Sequence, residues 1–306
     1  MEAVLANLKT SHLLMLKSIK PDLLSFNHMQ RILIFLFACL SIIFSIINFN
    51  SFYDKSLHLL NWDNDKAYEI DYWRRVIMET SGIASFTGVI CVVLITKGKF
   101  SNYFWGIINC IFYGTFAFAY GYAGDAQMNI MIFLPLQFVG IYMWNDNLDD
   151  TNTVKSLSLK WYQWLLVLIF TFLCAVMFYY EIPAFAKALT GVYYFETKQV
   201  PHILDAVANG LSITAQILSL YRYWQQWIFW IAIDCIQIAM FSGVAGYGIQ
   251  FNILTMWCLF LINALFGQYM WWKRSYDENK QKYDSNSSTI SIPLSFRNSN
   301  KNDTYV

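Results

Sequence analysis

A chain of 306 residues that is 57% hydrophobic, 19% aromatic and 13% charged carries about half the charge of a soluble domain, where about 25% is usual. Its charges gather at the two ends and in a few short connections, and the rest falls into apolar runs close to the ~20 residues that span a bilayer, so an ordinary soluble enzyme is excluded and an all-α, polytopic membrane protein is predicted. The net charge of +1 argues against nucleic acid, and four histidines at 12, 28, 58 and 202 with no pair at ligand spacing argue against a metal, so no cofactor is expected.

Residues 1–30 hold Lys9, Lys17 and Lys20 among Leu and Met and read as an amphipathic or loosely ordered cytoplasmic lead. A cleaved signal peptide fits poorly, because the strong apolar run starts at Ile32 and ends in INFNSF, without small residues at a cleavage site. Eight spans are predicted, roughly 31–49, 79–96, 103–121, 127–144, 161–180, 203–221, 226–244 and 251–272. The connection 50–78 mixes charges with aromatics and reads as an external loop, and 273–306 is polar, Ser/Asn-rich and expected to be a disordered cytoplasmic tail. Lys97, Lys99, Lys155, Lys160, Arg222, Lys273 and Arg274 fall in one set of connections, whereas 122–126 and 245–250 contain no base. The positive-inside rule then puts both termini in the cytoplasm of a plasma-membrane protein. The six cysteines all lie within apolar runs and read as packing residues.

Two parts of the chain repeat. Trp105, Asn109, Cys110, Ile111, Gly121 and Tyr122 align with Trp230, Asp234, Cys235, Ile236, Gly246 and Tyr247 at an offset of 125, and Gly140-Ile-Tyr-Met-Trp144 aligns with Gly267-Gln-Tyr-Met-Trp271 at an offset of 127. The repeats cover 79–144 and 203–272, three spans each, with one linking span at 161–180 and an extra span at 31–49. Three helices reverse direction and one more restores it, so the halves are expected to be parallel, related by an axis along the membrane normal, with a site between them near the midplane.

Polar stripes at helical spacing mark where that site lies. Trp227, Trp230, Asp234, Gln237 and Phe241 follow at three, four, three and four residues, as one line of two indoles, a carboxylate, an amide and a ring. A carboxylate in such an apolar run costs about 2.5 kcal/mol or more to insert, so it is expected to face a cavity or a partner. Asp205, Asn209, Ser212, Gln216 and Ser219 form a second stripe, Trp105, Asn109, Tyr113, Phe116 and Tyr120 a third, Asn129, Phe133, Gln137, Gly140 and Trp144 a fourth, and Asn252, Met256 and Asn263 a fifth. A lone polar residue in lipid is usually interhelical glue; a stripe joining an acid to paired indoles reads as a lining for a flat, cationic ligand. Trp144, Trp271 and Trp272, at span ends before polar loops, read as interfacial belts, as do Trp161 and Trp164. Asp205, close to His202, reads as a mouth or capping residue, and the repeat allows Asp234 to pair with Asn109.

The stretches KGKFSNYFWGIIN (97–109), YGYAGDAQMN (120–129), PLQFVGIYMW (135–144), DAVANGLSITAQIL (205–218) and WQQWIFWIAID (224–234) resemble the PnuC family of vitamin-precursor transporters, over roughly 79–274. The family's W-x-x-W, followed four residues later by Asp, is matched by Trp227, Trp230 and Asp234; Trp224 adds a third indole and allows a one-turn shift. The resemblance implies a 3+1+3 architecture of the SWEET kind, a homotrimer, and facilitated diffusion of nicotinamide riboside, trapped by a cytoplasmic kinase. It also implies that Trp227 and Trp230 hold the pyridine ring while Asn209, Gln216, Asn109 and Gln137 bond the ribose and carboxamide, with Tyr113 on the Asn109 stripe and Asp234 beside the rings. Thiamine, riboflavin or a deoxynucleoside are the alternative substrates. A membrane enzyme fits less well, since H-E-x-x-H and G-x-S-x-G are missing, and a non-transporting receptor does not need two such stripes.

Overall fold

A computed structural model describes residues 2–52, 55, 58–60, 76–77, 80–120, 123–149, 151–190, 199–243 and 251–290. Most of the expected external loop 50–78 lies outside these residues, as do 121–122 and 244–250. The helices are α1 (Glu2–Leu24), α2 (His28–Ile46), α3 (Ser81–Lys97), α4 (Asn102–Tyr120), α5 (Ala123–Gln127), α6 (Leu134–Asn145), α7 (Trp161–Thr190), α8 (Gln199–Leu220), α9 (Gln226–Phe241) and α10 (Phe251–Ile290). A 3-10 turn (Phe49–Phe52), a π-turn and isolated β-bridges accompany them among the described residues. Five units are long and apolar enough to cross a membrane, namely α2, Ala123–Asn145, Trp161–Ala188, His202–Leu220 and Phe251–Lys280; α3 and α9 are shorter apolar helices.

Of the two alternatives for the N-terminal lead, the helical one is seen: α1 starts well before the first apolar run and is separated from α2 by a capping box in which Asn27 and Gln30 exchange side-chain-to-backbone bonds of 2.8 and 3.1 Å. One expectation changes. The tail is helical as far as Ile290, because the charged stretch after Trp272 is rich in helix formers and continues α10 without a Gly or Pro; residues 291–306 lie outside the description. A π-turn, Met128–Phe133, joins α5 to α6. There the Leu134 N–H reaches back five residues to Asn129 O, a widened turn just ahead of Pro135, whose ring would clash with a regular turn.

In the two stretches that repeat in sequence, α3 packs on α4 and α8 on α9; α3 also touches α10, and α8 touches α5 and α6. α2 lies on α3 as α7 lies on α8. At the end marked by Lys97, Lys155, Arg222 and Arg274, two tryptophans make the cross-connection. The Trp144 indole N–H donates to Ser219 O in the last turn of α8 (3.1 Å). Trp271 donates to Ile95 O and Thr96 O in the last turn of α3 (3.0 and 3.1 Å). Both side chains are fully buried, and their rings lie 5.8 Å apart. These are not interfacial belts: each indole fastens the third helix of one repeat to the first helix of the other. Trp272 and Trp161, by contrast, are exposed.

The repeated Gly-x-Tyr-Met-Trp stretch has a packing reason. A Cβ on Gly140 would collide with the Tyr103 ring, and one on Gly267 would lie 2.6 Å from the Trp227 indole. In each repeat the glycine leaves a notch that a ring from the second helix fills, which brings the tryptophan four residues later onto the opposite repeat. The connection after α6 reinforces this end. Val154 N–H donates to Gly98 O (2.9 Å) and Leu157 N–H to Arg222 O (2.8 Å), with Trp224 N–H returning to Leu157 O (3.0 Å). Both accepting residues end a helix in the left-handed region, Gly98 at φ 68 and Arg222 at φ 64. Asp149 shapes the strap by accepting from Thr151 N and Thr153 N (2.8 and 2.9 Å); partial burial opposes its charge, but these bonds and Lys99 hold the carboxylate below its usual range.

Trp144→Ala or Trp271→Ala is expected to destabilise the purified protein by about 3 kcal/mol. Trp272→Ala is expected to stay within about 0.5 kcal/mol of the parent, both read from thermal unfolding in one detergent.

Candidate functional site

α9 is an unbroken helix whose sixteen residues contain neither Gly nor Pro, and its candidate stripe faces inward. Trp227, Asp234, Gln237 and Phe241 are buried and Trp230 is half-buried. The two indoles do different things. Trp227 is seated in the Gly267 notch, 6.2 Å from the Trp271 ring in an edge-on contact. Trp230 meets Phe133 edge-on at 6.3 Å and keeps part of its surface open. Trp224 belongs elsewhere: its N–H donates to Ser158 Oγ (3.1 Å), and it lines a surface groove with Tyr269 and Trp272. The inward pair is therefore Trp227 and Trp230, without a one-turn shift.

Beyond Gln237 the stripe runs into a cluster built from both repeats. Tyr113 Oη donates to Asp125 Oδ2 (2.8 Å), Asn129 Nδ2 to Asp125 O (2.9 Å), and Gln237 Nε2 approaches Asp125 Oδ1 at 3.5 Å. Asp205 accepts from Asn209 Nδ2 at 3.0 Å, and its Oδ2 lies 2.6 Å from where a Cβ on Gly124 would stand, so only glycine lets α8 come this close to α5. His202 is stacked on Tyr179 at 4.0 Å with its Nε2 2.6 Å from Tyr179 O.

Among the buried polar atoms without a hydrogen-bond partner are the indole N–H groups of Trp227 and Trp257, Asp234 Oδ2 and Gln237 Oε1. Buried polar groups are nearly always paired, and an unpaired one costs about 1–3 kcal/mol. Donors, acceptors and ring faces left open together suit a flat guest with polar substituents.

A profile described as "Nicotinamide mononucleotide transporter" matches residues 79–273, well over half of the chain. The chain belongs to the nicotinamide mononucleotide transporter family. The nicotinamide riboside transporters PnuC of Haemophilus influenzae and Neisseria mucosa are each 29% identical to it, over 62% and 63% of this chain and 78% and 72% of theirs. The Escherichia coli protein of that name is 25% identical over 62% of this chain and 83% of its own length. The crystal structure of the vitamin B3 transporter PnuC superposes with a TM-score of 0.61 at 23% identity, covering 86% of this chain and 98% of the other, which establishes a shared fold.

For this family member, the remaining expected site residues divide. All five members of the Asp205 stripe, Asn209 and Gln216 included, are buried on one face of α8. Asn109 instead donates to Ala84 O of α3 (2.8 Å). It binds α4 to α3 and makes no pair with Asp234. Gln137 reaches Cys110 Sγ at 4.0 Å and sits against Gly106. Two residues escaped the sequence reading. Asp125 sits within YGYAGDAQMN, a stretch the family resemblance had already marked. Trp257 is buried, edge-on to Tyr113 at 6.3 Å, and gave no stripe of its own.

A double-mutant cycle of Tyr113→Phe and Asp125→Asn is expected to return a coupling of about 1 kcal/mol in unfolding; strict additivity of the two would mean that the bond contributes nothing.

Proposed function

We propose that this chain carries nicotinamide riboside across the plasma membrane by facilitated diffusion, supplying a cytoplasmic kinase that traps the product. The supporting observation is the α9 stripe, which faces inward, meets Phe133 and Asp125 through Trp230 and Gln237, and leaves polar atoms of Trp227, Asp234 and Gln237 open. Nicotinamide riboside is a flat pyridinium bearing a sugar. An indole face attracts a desolvated cation by about 2 kcal/mol, and sugar hydroxyls pair with amides and carboxylates. On this reading Trp230 offers the face on which the ring stacks, Trp227 forms the wall behind it and donates its free N–H, and Asn209, Gln216 and Gln237 reach the ribose and carboxamide. Asn109, Tyr113 and Gln137 hold the helices that carry these groups.

The mechanism is alternating access. Eight spans place two parallel three-helix repeats about the site, both termini face the cytoplasm, and three copies assemble. The repeats rock against each other, and the Trp144–Trp271 contact parts as the cytoplasmic side opens. The relatives are named transporters, and no step needs an ion gradient.

Proteoliposomes preloaded with unlabelled nicotinamide riboside are expected to accumulate the labelled compound transiently by counterflow with no ion gradient imposed, and an inside-negative potential is expected to raise the final level because the substrate itself is a cation. Protein-independent uptake would overturn the proposal. Trp230→Ala is expected to weaken binding at least about tenfold, about 1.4 kcal/mol, with expression intact, whereas Asp234→Asn is expected to keep binding; unchanged affinity in Trp230→Ala would exclude stacking on this ring.

A further inference from the structure

The first helix has two unlike faces. On one, Ser11, Met15 and Asp22 are buried. Met15 packs with Phe100, Tyr103, Ile141 and Trp144, Asp22 Oδ2 accepts the Ser101 N–H at 3.1 Å, and the His12 ring lies 5.9 Å from Phe138. Through these contacts α1 lies on α4 and α6 of the first repeat. On the other face Leu13, Leu16 and Leu24 are 50%, 47% and 58% exposed, and Lys9, Lys17 and Lys20 stand among them, also exposed. At helical spacing the residues 13, 16, 17, 20 and 24 share one strip. Between residues 9 and 31 the sequence has four Lys or Arg, the fourth being Arg31 at the start of α2, and one acid, the buried Asp22. The exposed side of α1 is thus cationic and apolar together, and it lies a short turn from a membrane-crossing helix.

Leucines left in water serve no packing purpose here, and lysines interleaved with them have no paired carboxylate among the described residues. Both are satisfied by one environment, the boundary between acyl chains and phosphates, where leucines sink and lysine stems extend to the anionic oxygens. We infer that α1 docks by this face on anionic phospholipid headgroups of the leaflet at the basic end of the molecule. Docking presses Met15 and Asp22 onto the cluster around Trp144, so the membrane surface holds the end of the first repeat where the two repeats cross-connect.

Hydrogen exchange of the full-length protein in nanodiscs tests this without reference to transport. With phosphatidylglycerol added to phosphatidylcholine, amides of residues 9–24 are expected to exchange about fivefold more slowly or better than in phosphatidylcholine alone, a difference lost near about 1 M NaCl. The K9Q/K17Q/K20Q variant is expected to lose the response to phosphatidylglycerol while exchanging like the parent in phosphatidylcholine. Equal exchange of the parent in the two lipids overturns the inference whatever the variant does, and so does a response that persists in high salt, which would assign the face to uncharged lipid or to a second copy of the chain.

Discussion

Trp144 and Trp271 each close the third helix of one repeat onto the first helix of the other, and the architecture follows from that exchange. A buried indole N–H usually finds an acceptor, and a helix-end carbonyl that already takes a backbone N–H has a second lone pair to offer, as Ser219 O and Ile95 O do here. Each tryptophan meets such a carbonyl, in α8 or in α3. The glycine one turn earlier makes room for a ring from the second helix, so notch, ring and indole form one unit that occurs twice. The strap between the repeats bonds to the two helix ends nearby, at Gly98 and Arg222. The basic end is consequently tightly cross-connected, and any opening on that side has to break these bonds.

With one end fastened, the interior between the repeats can hold polar groups that no neighbour satisfies. Asp234 and Gln237 project from α9 into this layer, where Tyr113 of α4 and Gln237 reach Asp125 of α5 and Asn209 bonds Asp205 within α8. A network that is partly closed and partly open is costly in the empty protein and is relieved when a ligand supplies the missing partners. This is a physical reason for a transporter to hold a carboxylate and free indole N–H groups in an apolar helix bundle, and it agrees with the family to which the chain belongs.

Much of this could be read from the residues. The α8 and α9 stripes required only helical periodicity, and their buried faces follow it. The repeated Gly-x-Tyr-Met-Trp was visible too, but its meaning was not: a tryptophan before a polar loop looks the same whether it faces headgroups or the other repeat, and only three-dimensional proximity separates Trp271 from Trp272. Asn109 carries a related ambiguity. Its stripe is regular, yet an amide on a helix face can serve the next helix as well as a cavity, and here its Nδ2 donates to Ala84 O. Asp125 lies on the five-residue helix α5, too short for periodicity to register. The tail was judged by its Ser and Asn content, although the helix formers nearest the bilayer carry α10 onward.

Titration calorimetry of the purified protein against nicotinamide riboside, thiamine, riboflavin and a deoxynucleoside tests the central claim most directly. Saturable heat from nicotinamide riboside, at micromolar affinity or tighter, with no response to the others is the predicted result. Heat from another of the four with none from nicotinamide riboside would contradict the substrate while leaving the site, and silence from all four would contradict the site itself.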